Sequence, residues 1–160
     1  MREAIGGSQL LLIIVTLIIV IMMVLAGSVG YTKAFKAKNA IINFVQENGA
    51  YDKSAAAVLN EAEDDIDNLL KEMGYKEVIG VNLKCSDKDY DNVIDYAQGS
   101  NYNFCVYHFQ EPESKSRYYG VKTFMYFELP LFGRNDMFAI PIYGETYSFY
   151  EIRWKGLGEN

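Results

Sequence analysis

The sequence is poor in the side chains that most often build catalytic and metal sites. It contains two cysteines and one histidine, His108, and together these fall short of the four ligands that a structural zinc site requires. No H-E-x-x-H, P-loop or G-x-G-x-x-G pattern occurs. Because no serine or cysteine nucleophile motif accompanies His108, we interpret it as a structural strand histidine. We therefore predict a protein that is not an enzyme, with no catalytic, cofactor-binding or metal-binding residues and no identifiable small-molecule substrate.

Positive charge is also scarce beyond the N-terminal region. In the first 38 residues, Arg2, Lys33, Lys36 and Lys38 are opposed only by Glu3. Of the chain's 21 acidic and 15 basic side chains, 20 and 11 therefore lie beyond that point. Nucleic-acid binding depends on clustered lysine and arginine side chains that displace counterions. The acidic remainder of the chain argues against a nucleic-acid partner.

The longest apolar run lies near the N-terminus, over residues 10–26, and only Thr16 interrupts it. Extended to Val29 at about 1.5 Å per helical residue, it matches the roughly 30 Å hydrocarbon core of a bilayer. A secretory signal peptide has a shorter apolar region, but residues 26–28 (AGS) fit its cleavage region, so that alternative stays open. We favour an uncleaved single-pass anchor, because the helical pattern continues past Ser28.

The helix is predicted to leave the bilayer and continue to residue 48. Over residues 30–48, one side of a 3.6-residue helix is apolar and the other is polar; the apolar side is formed by Ala34, Ala37, Ile41, Phe44 and Val45. We therefore expect one helix of about forty residues, half in lipid and half amphipathic.

Small side chains recur at the membrane exit. Ala26, Gly30 and Ala34, extended by Ala37, form a pattern that lets another helix approach closely. We interpret these four residues as helix-packing positions. A loosened turn at the interface is the alternative, since Gly27 and Gly30 permit a bend.

Residues 49–160 predict an α+β head domain. A second helix begins near Ser54 and ends at Gly74, with one apolar and one acidic, solvated face. Five runs rich in β-branched and aromatic residues follow, as is typical of strands. They are KEVIGVNLKC, YNFCVYHF, YYGVKTFMYFEL, MFAIPIYG and TYSFYEIRW. We expect a four- to five-stranded antiparallel sheet that the helices cover on one face.

Breaks in this pattern mark edges and loops. Pro130 and Pro141 suggest that their runs end or lie at a sheet edge. Residues 86–101 form the longest predicted loop, with a helical turn at residues 92–97.

The same loop carries alternating carboxylates that are similar to those of a calcium loop. The acidic residues are Asp87, Asp89, Asp91 and Asp95. Asn92 stands where such a loop needs glycine, and Gln98 where it needs a bidentate glutamate. We therefore interpret the segment as a solvated acidic loop, with a weak cation site as the alternative.

The two cysteines flank this loop. A disulfide between Cys85 and Cys105 would close about twenty residues and contribute roughly 3 kcal/mol in the chain-entropy model. Two buried free thiols are the alternative. We favour the disulfide if the head faces an oxidising compartment.

Tyrosine is abundant in the predicted sheet. The residues in question are Tyr102, Tyr107, Tyr118, Tyr119, Tyr126, Tyr143, Tyr147 and Tyr150. Aromatic strand residues are usually core, but tyrosine is also enriched at protein contacts. Because aromatics occur on both faces of two strands and a two-layer fold buries only one face, a protein-contact surface remains a second hypothesis.

The order of these elements resembles type IV pilin-like proteins, including pseudopilins and Tad-like pilins. A short charged leader, a small-residue junction, a helix that is apolar and then amphipathic, and an α+β head are that family's plan. Gly6 and Gly7 before Ser8 resemble a prepilin peptidase site, which implies cleavage after one of these glycines. Leu11 or Leu12 stands where pilins carry an acidic residue five places after the cut. The resemblance implies assembly through bundled N-terminal helices with the heads outside.

We therefore expect a pilin-like structural subunit that assembles into a filament or a pilus or secretion apparatus. Its partners would be the lipid bilayer and copies of itself. The expected organisation is a leader (1–9), a transmembrane segment (10–29), an amphipathic continuation (30–48) and a head (49–160). The alternative is a membrane-anchored extracellular binding module with the helix as a tether only.

Different features of the sequence predict different locations for the head. We expect a single-pass membrane protein or a surface filament with an extracellular head. Lys33, Lys36 and Lys38 outnumber Arg2, however, and the positive-inside rule would place the head in the cytoplasm. The cysteine pair and the pilin-like plan favour the outside.

Overall fold

The computed structural model of the chain describes residues 2–50, 52–75, 85–127 and 138–150. Helix α1 spans Arg2–Asn48 and helix α2 spans Ala55–Glu72. A short 3-10 helix at Asp87–Asp89 precedes the strands. These are β1 (Val93–Gln98), β2 (Phe104–Gln110), β3 (Arg117–Phe127) and β4 (Phe138–Glu145). The expected α+β class is confirmed.

The strands form an antiparallel sheet in the order β1-β2-β3-β4 within the described residues. Pro141 pairs with Phe124 and lies in β4, which is an edge strand of this described sheet. Since an edge strand needs no second set of ladder hydrogen bonds, the edge prediction for Pro141 is confirmed. Phe149 forms a bridge to Arg117 beyond the end of β4. The first predicted run up to residue 84, Pro130, and the part of the last run beyond residue 150 lie outside the described residues.

The predicted loop at residues 86–101 is wrong for its second half. Residues 93–98 form β1, which pairs with β2, and the 3-10 turn lies earlier, at Asp87–Asp89. The sequence VIDYAQ contains β-branched and aromatic residues, and its side chains are alternately half-buried and exposed. Asn92, at φ 63°, makes the turn into the strand. The many aspartates before this turn obscured a short edge strand.

The C-terminal half of α1 belongs to the core of the head. Ala34, Ala37, Ile41 and Val45 are all buried, so the predicted apolar stripe is confirmed. The Thr123 hydroxyl of β3 donates a hydrogen bond to the Ala34 carbonyl at 3.3 Å. The small side chains therefore allow a strand of the chain's own head to lie directly against the helix.

Helix α2 begins and ends as its sequence predicts. The Ser54 side chain accepts a hydrogen bond from the Ala57 N–H at 3.2 Å, which caps the N-terminus. At the other end, Gly74 has φ 63°, and the N–H groups of Gly74 and Tyr75 donate to the carbonyls of Lys71 and Leu70. This is a Schellman motif, which favours glycine because the conformation is left-handed. The apolar stripe of α2 packs against α1 and the sheet.

Tyr119 of β3 ties the sheet to the connection between the helices. Its side chain is fully buried, and its hydroxyl lies 2.9 Å from the Ala50 carbonyl and 2.8 Å from the Lys53 carbonyl. Burial raises the pKa of Tyr119 to about 12, so the hydroxyl remains a donor at physiological pH. These hydrogen bonds therefore fix the connection between α1 and α2 to strand β3.

We expect Ile41→Ala to destabilise the head by about 2–5 kcal/mol, because it leaves a cavity at a fully buried position of α1. Ile13→Ala is the matched control, since Ile13 lies on the same helix and is 67% exposed. The measurement is urea unfolding in mild detergent, followed by the near-ultraviolet circular dichroism of the tyrosines. Equal losses of stability in the two variants would contradict the division of α1 into a core half and an exposed half.

Candidate functional site

The N-terminal half of α1 is an exposed apolar surface. Among the described helices, only α1, searched over Gly7–Asn48, is long and apolar enough to cross a membrane. No residue in its most apolar stretch is buried by the rest of the chain. Leu12 and Ile13, for example, are each 67% exposed. Length and composition support a single-pass membrane anchor.

The few polar side chains of this segment are satisfied within the helix. The hydroxyls of Thr16, Ser28 and Thr32 each donate to the carbonyl four residues earlier, at 2.8 Å. In hydrocarbon an unsatisfied hydroxyl costs several kcal/mol, so such internal bonds make the helix compatible with lipid.

The four predicted helix-packing residues have different surroundings. Ala34 and Ala37 are buried against the head, whereas Ala26 is exposed. A Cβ added to Gly30 would lie 3.2 Å from the Tyr126 carbonyl oxygen. Three of the four positions thus pack against the chain's own head, and Ala26 is the exposed one.

The predicted processing residues, Gly6 and Gly7, lie within α1. A Cβ added to Gly7 would meet no atom within 4 Å, so packing does not require a glycine there. Cleavage at this point stays a prediction.

The predicted disulfide between Cys85 and Cys105 is present. Its sulfur atoms are 2.05 Å apart, and the Cα atoms are separated by 5.8 Å. Both residues are buried, on the face of the sheet opposite the helices. The bond holds the segment that starts at Cys85 against β2.

This segment covers a second aromatic core. Tyr107, Phe109 and Phe124 are buried beside the disulfide, and Tyr90 packs edge-on against Tyr107 with ring centroids 5.1 Å apart. The sheet therefore has buried side chains on both faces, contrary to the expectation of a single covered face. The alternation of residues in β3 did not predict this second core, because it places Lys122 and Phe124 on the face of the sheet that the helices do not cover.

Burial excludes most of the eight tyrosines from the predicted protein-contact surface. Tyr102, Tyr107 and Tyr119 are buried and therefore unavailable to a partner, and Tyr118, Tyr126 and Tyr143 are half-buried in the two cores. Two of the eight remain well exposed, Tyr147 at 78% and Tyr150 at 66%. Among the described residues of the head, the large exposed hydrophobic side chains left for a protein contact are these two tyrosines and Ile94, Tyr96 and Ile140.

Lys122 is a buried cation that sequence reasoning missed. Its ammonium group pairs with Asp89, which also accepts a hydrogen bond from the Tyr107 hydroxyl at 2.6 Å. The ammonium lies 5.4 Å from the centre of the Tyr107 ring and 5.7 Å from that of Phe124. The hydrogen bonds from Lys122 and Tyr107 lower the pKa of Asp89, so the carboxylate stays ionised beside the lysine.

The four aspartates of residues 86–101 do not lie together where they could bind one cation. Asp89 faces Lys122, and Asp95 accepts a hydrogen bond from the Ala55 N–H at 3.0 Å. Asp87 and Asp91 are exposed. The described residues contain no group of three or more metal-ligating side chains placed to hold an ion.

His108 occupies a buried structural position. It is 3% exposed, its ring stacks on Tyr119 at a centroid distance of 4.7 Å, and its Nδ1 lies 3.3 Å from Asp95 Oδ1. Its Nε2 has no hydrogen-bond partner among the described residues. Burial lowers the pKa of His108, and Arg117 acts in the same direction, whereas Asp95 opposes them. The imidazole is therefore held neutral within the fold.

Comparison with known proteins identifies no relative. No protein-family model, no curated protein and no solved structure matches this chain. The likeness to pilin-like proteins accordingly rests on the order and packing of the elements alone.

We expect the double variant Cys85→Ala/Cys105→Ala to lower the free energy of unfolding by about 3 kcal/mol, because the unfolded chain is no longer constrained by a loop of about twenty residues. Urea unfolding with and without a thiol reductant measures the effect. The reductant should destabilise the wild type and leave the double variant unchanged. Labelling of free thiols in the native, unreduced protein would contradict the bond.

We expect the stability of the head to decrease as the pH falls below about 6.5, the ordinary pKa of histidine. Below that pH the unfolded chain binds a proton on His108, whereas the folded state, whose His108 pKa is lowered, does not. Since the chain has one histidine, His108→Gln should remove this slope between pH 7 and pH 5.5. Thermal unfolding over that range is the measurement, and an unchanged slope in the variant would contradict the assignment.

Proposed function

We propose that the chain is a pilin-like structural subunit, anchored by α1 and assembled with copies of itself through the exposed half of that helix. The observation that carries this proposal is the continuity of α1 from Arg2 to Asn48. One half is exposed and apolar, and the other is part of the head's core.

A tether alone would not require this arrangement. A tether needs length and an apolar stretch, and a flexible linker to the head would serve. Here Ala34, Ala37, Ile41 and Val45 are core residues, so the exposed half extends from the head as a rigid rod. A rigid rod fixes the angle between the head and its neighbours, which is what a repeating assembly requires.

The exposed half also has the surface that helix association in lipid uses. Its large side chains are aliphatic, its hydroxyls are satisfied, and Ala26 allows a second helix to approach closely. Because Ala34 and Ala37 already pack against the head, contacts between copies would lie N-terminal to Gly30, in the apolar half of α1.

The proposed location of the head is outside the cell. The Cys85–Cys105 disulfide supports it, since such bonds persist in oxidising compartments. The lysines that follow the membrane segment favour the opposite orientation. We give the cysteine pair more weight, because its geometry suits a disulfide and such a bond is stable only in an oxidising compartment.

A membrane-anchored binding module is the second candidate. The observation in its favour is the exposure of Ile94, Tyr96, Tyr147 and Tyr150 on the head. Tyrosine at such positions supplies contact area at little entropic cost. In that case the head would engage a partner, and the helices would remain apart.

Cysteine scanning distinguishes the two candidates. The native cysteines form a disulfide, so single substitutions to cysteine along residues 17–26 introduce the reactive thiols. We expect oxidative cross-linking in native membranes to peak every three to four residues, at a set that includes Ala26→Cys. Cross-linking of Lys88→Cys, on the head, gives the background. A profile without helical periodicity, together with the absence of filaments by electron microscopy, would favour the tether.

A further inference from the structure

An open cavity lies between the base of the head and the part of α1 that follows the apolar segment. The cavity has a volume of about 610 Å³. Ala26, Gly30 and Lys33 line it from α1, and Phe124 and Tyr126 line it from β3. A second cavity, of about 390 Å³, shares Val29 and Lys33 with the first and is also lined by Lys36. We call the two cavities together the membrane-exit crevice.

For a helix α1 that spans the bilayer, we expect the crevice at the depth of the lipid head groups. With Leu10 at the far edge of the hydrocarbon core and about 1.5 Å per residue, Lys33 lies about 35 Å along the helix. The hydrocarbon core is about 30 Å thick, and the head-group layers extend the total to about 40–45 Å. Tyr31, 52% exposed, falls at the same depth, where tyrosine is enriched in membrane proteins.

The described charged side chains that line the crevice are two lysines, Lys33 and Lys36. Lys33 donates to the Gly74 carbonyl at 3.2 Å, which uses one of the three hydrogens of its ammonium group and holds it at the opening. Lys36 is exposed on the next turn of the helix. Within the described residues, neither lysine forms a salt bridge with a carboxylate.

The lining of the crevice changes from apolar to basic along the helix, in the same order in which a phospholipid changes from acyl chain to phosphate. Ala26 and Val29 lie on the hydrocarbon side, and Lys33 and Lys36 lie on the head-group side. A phosphate diester between the lysines would accept their hydrogen bonds, while its acyl chain lay against the apolar part. A zwitterionic lipid would also place its own cation beside the lysines, which like-charge repulsion disfavours.

We propose that the membrane-exit crevice binds the head group of an anionic phospholipid of the bilayer through Lys33 and Lys36. This inference rests on the membrane anchoring in the proposed function, and it shares Ala26 with the proposed contact between helices. It assigns a lipid site to the space between the membrane helix and the head.

The test is native mass spectrometry of the full chain, extracted in mild detergent from vesicles of equal parts phosphatidylglycerol and phosphatidylcholine. We expect phosphatidylglycerol to be retained preferentially. Lys33→Gln/Lys36→Gln should reduce its retention by about five-fold for each lysine removed, which is the contribution of one basic residue at an anionic membrane surface. Lys53→Gln/Lys88→Gln is the matched control, since it removes the same charge elsewhere on the head, and it should retain the lipid.

A second variant tests the shape of the crevice without changing its charge. Ala26→Phe fills the apolar part and should reduce retention although both lysines remain. Inorganic phosphate should not displace the bound lipid, because a free anion lacks the acyl chain. The near-ultraviolet spectrum of each variant establishes that the head is folded.

Several results would overturn the site. They are equal retention of the two lipids, equal losses in the lysine variant and its control, no loss in Ala26→Phe, or displacement by inorganic phosphate. Because lipid retention is read on single chains, a failure of this site and a failure of assembly, read by cross-linking in membranes, are distinguishable.

Discussion

The contact between the second half of α1 and strand β3 is the constraint on which the rest of the structure depends. The small side chain of Ala34 lets the strand lie against the helix, where Thr123 bonds to the helix backbone, and Ala37 is buried one turn further along. A larger side chain at either alanine would push the sheet away and open the core, because interiors are packed without spare volume. The small-residue pattern, which in a membrane favours association between helices, is used here mainly within one chain.

The opposite face of the sheet is closed by different means. A disulfide, a cluster of aromatic rings and a lysine paired with Asp89 take the place of a second helical layer. Desolvating a lysine is costly unless it is paired and hydrogen-bonded, and Lys122 has both a carboxylate and aromatic faces around it. The short segment that starts at Cys85 thereby covers rings that would otherwise form an exposed apolar patch.

Much of the fold could be predicted from the sequence, and the failures have a common cause. Both helices follow from apolar periodicity, and the Ser54 cap and the Gly74 stop follow from local chemistry that acts within a few residues. Strand β1 and the burial of Lys122 depend on residues distant in the chain: β1 is fixed by pairing with β2, and Lys122 is buried by Asp89 and Tyr90. Local patterns carry no information on such pairings. The membrane-exit crevice likewise exists only because Phe124 and Tyr126 are brought opposite Ala26 and Gly30.

The opposite directions of α1 and β3 have a mechanical consequence. Helix α1 runs from its apolar half to Asn48, and β3 runs back from Arg117, which pairs with Asp52 just after the helix, to residues that contact Gly30. A force that pulls the head away from the membrane helix therefore loads this contact in shear along its whole length. Contacts loaded in shear must yield together, whereas contacts peeled from one end yield singly. The head is thus joined to the helix by contacts that such a force would load all at once.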